Sequence, residues 1–410
     1  MEKVKNLVIN QSINYPSKIA LVHDWLIHYS FGGAENVTQE IDKILKKNFV
    51  EPDIFSLTAN FDNCKDNYFL GRKINKSFIQ KLPFGKTHIQ HFLPLLPFAI
   101  EQMNLFEYQL VVSSSHFGAK GILTSPEQLH ISYIHTPMRY AWDQMHIYLT
   151  QSKLSQIGFG PIIRYILYKL REWDYLSGKR PDILIANSDF TSQRISKYWG
   201  LKSKVINPPV NIKRFNFKMN RDNFYLSVNR LVPNKRIDLL IKAFNKLNLP
   251  LIIVGDGPEG NKLKKIANKN IKFFGKISNK EINNLMGRCR AFVYAGIEDF
   301  GIAPVEAMAS GAPVIALGRG GVLDTVSCMI NHPKNKIHTG LLFKNQSMND
   351  LYDAVSWFED KKAWKMFNAN DINNYSLKFD VDKFQDKFER FTIDALESFQ
   401  KKKFNTDIIL

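Results

Sequence analysis

Short apolar runs recur along this chain at intervals. KIALVHD, DIFSLTA, QLVVSSS, HISYIHT and DILIANS follow one another in the first half. FYLSVNR, PLIIVGDG, IKFFGK, AFVYAG and PVIALG do so in the second. Between them lie segments such as AENVTQEIDKILKK, RIDLLIKAFNKL and KEINNLMGRC, whose apolar residues return every three or four positions. Apolar strands alternating with amphipathic helices indicate parallel sheets covered on both faces. Two such series predict an α/β chain of two doubly wound domains. Asn207, Pro208 and Pro209 interrupt regular structure, and no strand pattern returns until Phe224. The expected division is 1–208, 209–380 and a long C-terminal helix over 381–410.

Composition narrows the class. A chain of 410 residues suits two domains of about 200. Hydrophobic and aromatic contents of 44% and 12% support packed cores and exclude a disordered chain. No run of 18 apolar residues is present, so no membrane-spanning helix is expected. The opening MEKVKNLVINQSINYPS lacks a long apolar core and a small-residue cleavage site, so a cytoplasmic protein is expected. Cys64, Cys289 and Cys328 lie far apart, without metal or disulfide spacing, and are expected as reduced thiols. The net charge is +18, with lysine and arginine especially dense over 211–290. Such a surface suits phosphate-rich partners: nucleotides, nucleic acid or anionic lipid. Many lysines on such a surface do no more than keep a protein in solution.

Ligands of doubly wound sheets sit beyond the carboxyl ends of the strands, and the informative residues fall there. After AFVYAG comes EDFGIAPVEAMASGAPVIAL, with Glu298 in a loop and Glu306 in the helix that follows. The N–H groups around Phe300, Gly301 and Ile302 would face a ligand near a helix N-terminus, which favours anions and hydroxyl groups. After KIALVHD, Gly32 and Gly33 open a helix, and paired glycines there can bring backbone N–H groups against a phosphate. His135 follows a strand in YIHTPMRYAWD, and either a substrate contact or a core histidine fits that place. Arg230 and Lys235 flank a proline turn in SVNRLVPNKRIDLLI, suited to a diphosphate that gathers charge as it leaves. VGDGPEGNKL matches the dinucleotide pattern at Gly255, Gly257 and Gly260. Glu259 would repel a pyrophosphate, and no acid follows the next strand, so a tight turn is the better reading. No Walker loop or HExxH is present, and the one Asp-x-Asp, Asp380-Val381-Asp382, opens the C-terminal helix pattern and is not read as a metal–diphosphate site, so no metal is expected.

Together these stretches resemble the retaining glycosyltransferases of family 4, the "group 1" enzymes of GT-B fold. The likeness runs over about residues 18–345. Glu298 and Glu306 match that family's E-x7-E pattern, and SVNRLVPNKRIDLLI resembles its diphosphate-binding stretch. YIHTPMRYAWDQ and VHDWLIHYSFGGAE are most similar to bacterial mannosyltransferases of surface polysaccharide and lipopolysaccharide synthesis. The resemblance implies two Rossmann-like domains facing a central cleft, with the last helix crossing back to the first domain. It places Gly33 and Gly32, with Arg230 and Lys235, on the donor diphosphate. Glu298 would bind sugar hydroxyls beside the Phe300–Ile302 backbone, and Glu306 the ribose. His135 would contact the donor sugar, with Lys276 and Ile277 beside the base. Family members differ in the spacing of the two cations, so Arg236 could share or replace the role of Lys235. His135, Glu298, Arg230 and Lys235 are the implied catalytic set. The implied reaction is metal-independent transfer of mannose from GDP-mannose to a glycan or polyprenyl-linked glycan.

Alternatives stay open at this point. A UDP-sugar could be the donor, and the basic charge could serve a non-enzymatic nucleic-acid-binding protein. The latter calls for a basic stripe with aromatic platforms, whereas this sequence puts glycines, acids and cations at strand ends. KLPFGKTHIQHFLPLLPFAI, residues 81–100, reads either as a core helix or as a loop for peripheral association with the inner face of the plasma membrane.

Overall fold

A computed structural model describes residues 14–27, 32–61, 67–151, 158–217, 220–329 and 337–407; Cys64 lies outside the described residues. The chain divides into two units. The first takes residues 1–185, 195–204 and 385–410, and the second takes 186–194 and 205–384. Segment 186–194 falls within the range read from the sequence as the first domain. Its contacts explain its place in the second unit. The Ser188 hydroxyl donates to the Asp299 carbonyl, and Arg194 pairs with the Asp299 carboxylate.

The first unit carries β1 (Ile19–His23), β2 (Leu26–Ile27), β3 (Asp53–Ser56), β4 (Ala59–Asn60), β5 (Ile74–Lys76), β6 (Leu110–Ser115), β7 (Leu129–Ile134), β8 (Ile183–Ala186) and β9 (Lys204–Val205). Seven of them form one sheet in the order β5-β3-β1-β6-β7-β8-β9, while β2 pairs with β4 apart from it. β1 runs parallel to β3 and β6. Every residue of β1, β6 and β7 is buried, and their apolar residues are not confined to one face, although β6 and β7 also bury Ser113, Ser114, Ser115, His130 and Ser132. In the second unit β10 (Tyr225–Val228), β11 (Leu251–Val254), β12 (Ile271–Gly275), β13 (Ala291–Tyr294), β14 (Val314–Leu317) and β15 (Gly340–Phe343) form a parallel sheet. Its order is β12-β11-β10-β13-β14-β15. Both units are Rossmann-like, as the strand pattern predicts. In both, successive strands run first to one side of a central strand and then to the other.

An ion pair lies inside the first unit. Lys120 Nζ donates to Asp174 Oδ1 at 2.7 Å and to the Phe117 carbonyl at 2.9 Å. The other Asp174 oxygen accepts from the indole N–H groups of Trp142 and Trp199, both at 2.8 Å. The ammonium also lies over the Trp173 and Trp199 rings, 5.3 and 5.1 Å from their centres. Two glycines admit these indoles. A Cβ on Gly121 would lie 2.5 Å from the Trp173 ring, and one on Gly178 would lie 2.7 Å from the Trp199 ring.

Segment 81–100 is mixed, with more of its residues exposed than buried. Ile89, Leu96, Ala99 and Ile100 enter the first unit's apolar cluster, while Phe84, Leu95 and Phe98 stay exposed. The C-terminal helix Val381–Asp407 belongs to the first unit from Gln385 onward. There Gln385 donates to Glu40 at 2.7 Å, and Gln400 exchanges bonds with the Asn14 backbone at 3.2 and 2.6 Å.

One carboxylate in the second unit makes stability depend on pH. The Asp189 N–H donates to Asp324 Oδ2 at 2.6 Å, and burial pushes Asp324 from 3.8 up to about 6. Below its unfolded value the group is protonated in both states and costs nothing. As pH rises from about 4 through 6, the folded state must ionise a group it holds protonated, and stability falls. Asp324→Asn keeps an acceptor for Asp189 and removes the charge. Discounted for partial exposure, it is expected to stabilise the protein by about 1–2 kcal/mol at pH 7.5 and by nothing at pH 4. Thermal unfolding at both pH values checks this, and an equal shift at each would refute it.

Candidate active site

In the second sheet the strand order reverses between β10 and β13, where such folds bind their ligands. β10 leads through Asn229 and Arg230 into the turn Pro233–Lys235, and β13 leads into Gly296 and Glu298. The two connections touch. A Cβ added to Gly296 would lie 3.2 Å from Lys235 Cα. Here the Lys235 ammonium pairs with the Glu298 carboxylate and donates to the Tyr294 hydroxyl at 3.3 Å. Tyr294 in turn donates to the same Glu298 oxygen. Lys235 and Glu298 remain about one-fifth to one-quarter exposed, at 20% and 24% of the side chain, so a ligand can reach both.

Arg236 turns elsewhere. It adopts φ +53° and sets its guanidinium on Asp238, at 2.9 and 3.0 Å. Lys235, and not Arg236, is therefore the cation beside Glu298. Arg230 is exposed at the end of β10.

The GDGPEG turn supports this corner. Gly255 has φ +125°, and a Cβ there would meet the Asn229 carbonyl at 1.8 Å. A Cβ on Gly257 would meet the Leu231 carbonyl at 2.4 Å. Leu231 N–H donates to the Asp256 carbonyl at 2.9 Å, and Glu259 N–H donates to the Leu231 carbonyl at 3.1 Å. These glycines hold the backbone on either side of Arg230.

The Glu298 loop leads into the helix Ile302–Ala309, whose N-cap Gly301 has φ +93° and no side chain to cap it. Phe300 points inward, buried and edge-on to Phe379 at 5.5 Å, so only its backbone can meet a ligand. Gly320 and Gly321 press against this loop. A Cβ on Gly321 would lie 2.3 Å from Phe300 Cα, and Gly321 N–H donates to the Glu298 carbonyl at 2.9 Å. Glu306, in the helix, does not join the Lys235 pair but forms an ion pair with Arg214. Burial pushes Glu306 above the ordinary carboxyl value, and Arg214 opposes that shift. Past β12, Lys276 is exposed and Ile277 packs on the second unit's apolar cluster.

The reversal point of the first sheet lies between β1 and β6. Asp24, just past β1, is fully buried. Its Oδ2 accepts from the N–H groups of His116 and Phe117, at 2.6 and 2.8 Å. Its Oδ1 accepts from Gly118 and Ala119, at 2.6 and 2.7 Å. Burial alone would raise its pKa; His116, His23 and these N–H groups outweigh burial and lower it. The His116 Nδ1 lies 3.1 Å from Asp24 Oδ2.

His135 is buried, and its Nε2 lies 2.8 Å from the Ser114 hydroxyl. Burial, then the neighbouring His23 and His116, hold its pKa well below the ordinary value, so it stays neutral. Gly33 opens the helix Gly33–Asn48, and the Gly32 N–H donates to Glu35 Oε2 at 2.7 Å. That N–H, expected on a phosphate, is here engaged by the helix's own glutamate.

Sequence reasoning missed Tyr294, Arg214, Asp24, His116 and the Gly320–Gly321 pair. Asp24 and His116 each follow a strand, which is a usable signal. Arg214 is one of 56 basic residues and meets Glu306 only through the fold. Among the described residues, no group of three or more His, Cys, Asp or Glu side chains is placed to hold a metal ion.

Residues 210–376 match the family model "Glycosyl transferases group 1". An uncharacterized glycosyltransferase of Methanocaldococcus jannaschii, MJ1178, is 28% identical over 207 residues, covering 49% of this chain and 56% of its own. A GDP-mannose-dependent alpha-(1-6)-phosphatidylinositol monomannoside mannosyltransferase of Mycobacterium tuberculosis is 26% identical over 228 residues, covering 48% and 55%. The chain thus spans about half the length of the curated relatives it matches. Among solved structures, the Anabaena protein Alr3699/HepE, in complex with UDP, superposes with a TM-score of 0.63 at 16% identity, covering 92% of this chain and 99% of its own. The chain thus has the fold of the GT-B glycosyltransferases, and its second unit belongs to the glycosyl transferases group 1.

Proposed function

We propose that the protein is a retaining glycosyltransferase of family 4 that moves mannose from GDP-mannose to a glycan or polyprenyl-linked glycan in cell-surface polysaccharide synthesis. The observation that carries this reading is the meeting of Lys235, Tyr294 and Glu298 where the second sheet reverses. The choice of mannose and GDP draws on the GDP-mannose dependence named for the mycobacterial relative.

In this reading the donor replaces the Lys235–Glu298 pair with two contacts of its own. Vicinal hydroxyls of the sugar donate to Glu298, and the diphosphate takes Lys235 and Arg230. Tyr294 keeps the carboxylate in place during the exchange. Glu306 accepts from the ribose, which draws it from Arg214. The bond from the sugar's C1 to the diphosphate oxygen breaks, and the acceptor oxygen bonds to C1 from the same face. The acceptor's proton passes to the departing phosphate oxygen. Arg230 and Lys235 stabilise the charge gathering on the diphosphate, and neutral His135 contacts the sugar. Lys276 and Ile277 lie beside the base in this reading.

A thermal-shift series with GDP, UDP, ADP and dTDP tests the donor. GDP at a hundred times its dissociation constant is expected to stabilise the wild type by about 2.7 kcal/mol. Glu306→Ala should lose most of that shift. Stabilisation by UDP alone would move the proposal to a UDP-sugar. No shift with any nucleotide, together with salt-sensitive binding of nucleic acid, would replace it with the basic-protein reading.

A further inference from the structure

The helix Gly160–Ser177, in the first unit, has a core face and an exposed face that is also apolar. Leu167, Leu170, Asp174 and Ser177 are buried, and Ile163, Ile166 and Trp173 pack on the unit's apolar cluster. A surface helix normally turns charged and polar residues to the other side. Here that side carries Ile162, Tyr165, Tyr168, Tyr175 and Leu176, with Ile162, Tyr165 and Leu176 exposed at 57%, 61% and 59%. Phe159, just before the helix, is exposed as well. Single exposed apolar residues are ordinary, but a row of five on one helix face is not.

The charges on this face are mostly of one sign. Arg164, Lys169 and Lys179 are exposed alongside the apolar residues. The acid Glu172 is taken by Lys169, at 2.8 Å. Lys169 lies over the Tyr165 and Tyr168 rings at 5.9 and 5.3 Å, and Lys179 lies over Tyr175 at 4.1 Å. Rings and aliphatic tips beneath, with ammonium groups spread beside them, suit a boundary between hydrocarbon and anionic headgroups.

We propose that this face is the protein's docking surface for an anionic lipid membrane, with the helix lying in the headgroup layer. Charge complementarity selects that occupant over a second copy of the chain. The face carries Arg164, Lys169 and Lys179 against one acid, Glu172, so two copies would meet with net positive charge on each. Tyrosine is the aromatic type that settles at a headgroup layer, its ring in hydrocarbon and its hydroxyl in water. The surface lies outside the Lys235–Glu298 site, so the inference does not depend on which donor the protein uses.

Cosedimentation of the full-length protein with phosphatidylcholine vesicles, with and without about one-third phosphatidylglycerol, tests this. Binding is expected only to the anionic vesicles and should weaken as salt rises. Tyr165→Ser/Tyr168→Ser/Leu176→Ser should weaken it at least about tenfold, as should Arg164→Glu/Lys179→Glu. Both variants change exposed positions, and unchanged unfolding temperatures would show that they remain folded. The proposal fails if the wild type does not bind, or if both variants bind as it does. It fails also if Phe84→Ser/Phe98→Ser abolishes binding while the helix variants retain it. A wild-type dimer in sedimentation analysis that the helix variants convert to monomer would assign the face to a second copy.

Discussion

Replacing Lys235 with methionine is expected to lower kcat for sugar transfer by about 10²- to 10³-fold, while KM for the donor changes far less. The asymmetry follows from when the ammonium matters. In the proposed reaction, the ground state lets it be shared between Glu298 and the diphosphate. As the C1 bond breaks, charge grows on the leaving oxygens, and a fixed cation lowers that state more than the one before it. Methionine keeps most of the side-chain volume and removes the charge. It also leaves Glu298 without its ion-pair partner, but Tyr294 still donates to that carboxylate. Arg236→Met is the control. Its guanidinium is committed to Asp238, a half-exposed pair of the kind worth about 0–1 kcal/mol, so the rate should fall by no more than about fivefold. Steady-state kinetics on both variants decides the matter. A large loss with Arg236→Met and a small one with Lys235→Met would reverse the assignment.

Lys120→Met is expected to have the largest effect on stability, a loss of about 3–5 kcal/mol. The reason is what it leaves behind. Asp174 would keep its two indole partners but lose its only described ion-pair partner, inside a unit where both side chains are almost wholly out of water. At this size the unfolding temperature should fall by on the order of 10 °C. The double variant Lys120→Met/Asp174→Asn removes the stranded charge and should recover part of the loss. Equal destabilisation in single and double variants would show that the ammonium's packing between Trp173 and Trp199, and not its charge, is what matters.

The frame of the molecule was legible because the physics behind it is local. All ten strands read from apolar runs are present, since a strand buried on both faces has little choice of side chain. The strands that escaped were edges, very short or weak in pattern: Leu26–Ile27, Ala59–Asn60, Ile74–Lys76, Lys204–Val205 and Gly340–Phe343. INK and KV offer too few apolar positions to stand out, and GLLF is short and opens with glycine. Arg230, Lys235 and Glu298 could be picked out as candidates because ligands collect where strands end, and the fold pairs Lys235 with Glu298. The fold added what spacing cannot supply. It put Tyr294 on Glu298, separated Arg236 from Lys235, and brought Arg214 onto Glu306 across 92 positions of sequence. It also gave the glycines of the GDGPEG turn a use, since their missing side chains let Asn229 and Leu231 approach.

Asp24 carries a consequence for the two sheets taken together. Successive backbone N–H groups converging on one point make an anion nest, the device by which many proteins seize phosphate. The nest over β6, from His116 to Ala119, already holds an anion, and that anion is covalently part of the chain. A phosphate arriving there would find its seat taken and a negative charge in it. Past β10 the chain instead offers Arg230, exposed and cationic. Two sheets of the same winding have thus come to opposite electrostatic ends. At Asp24 one is neutralised from within, while the other leaves its attraction for a visitor.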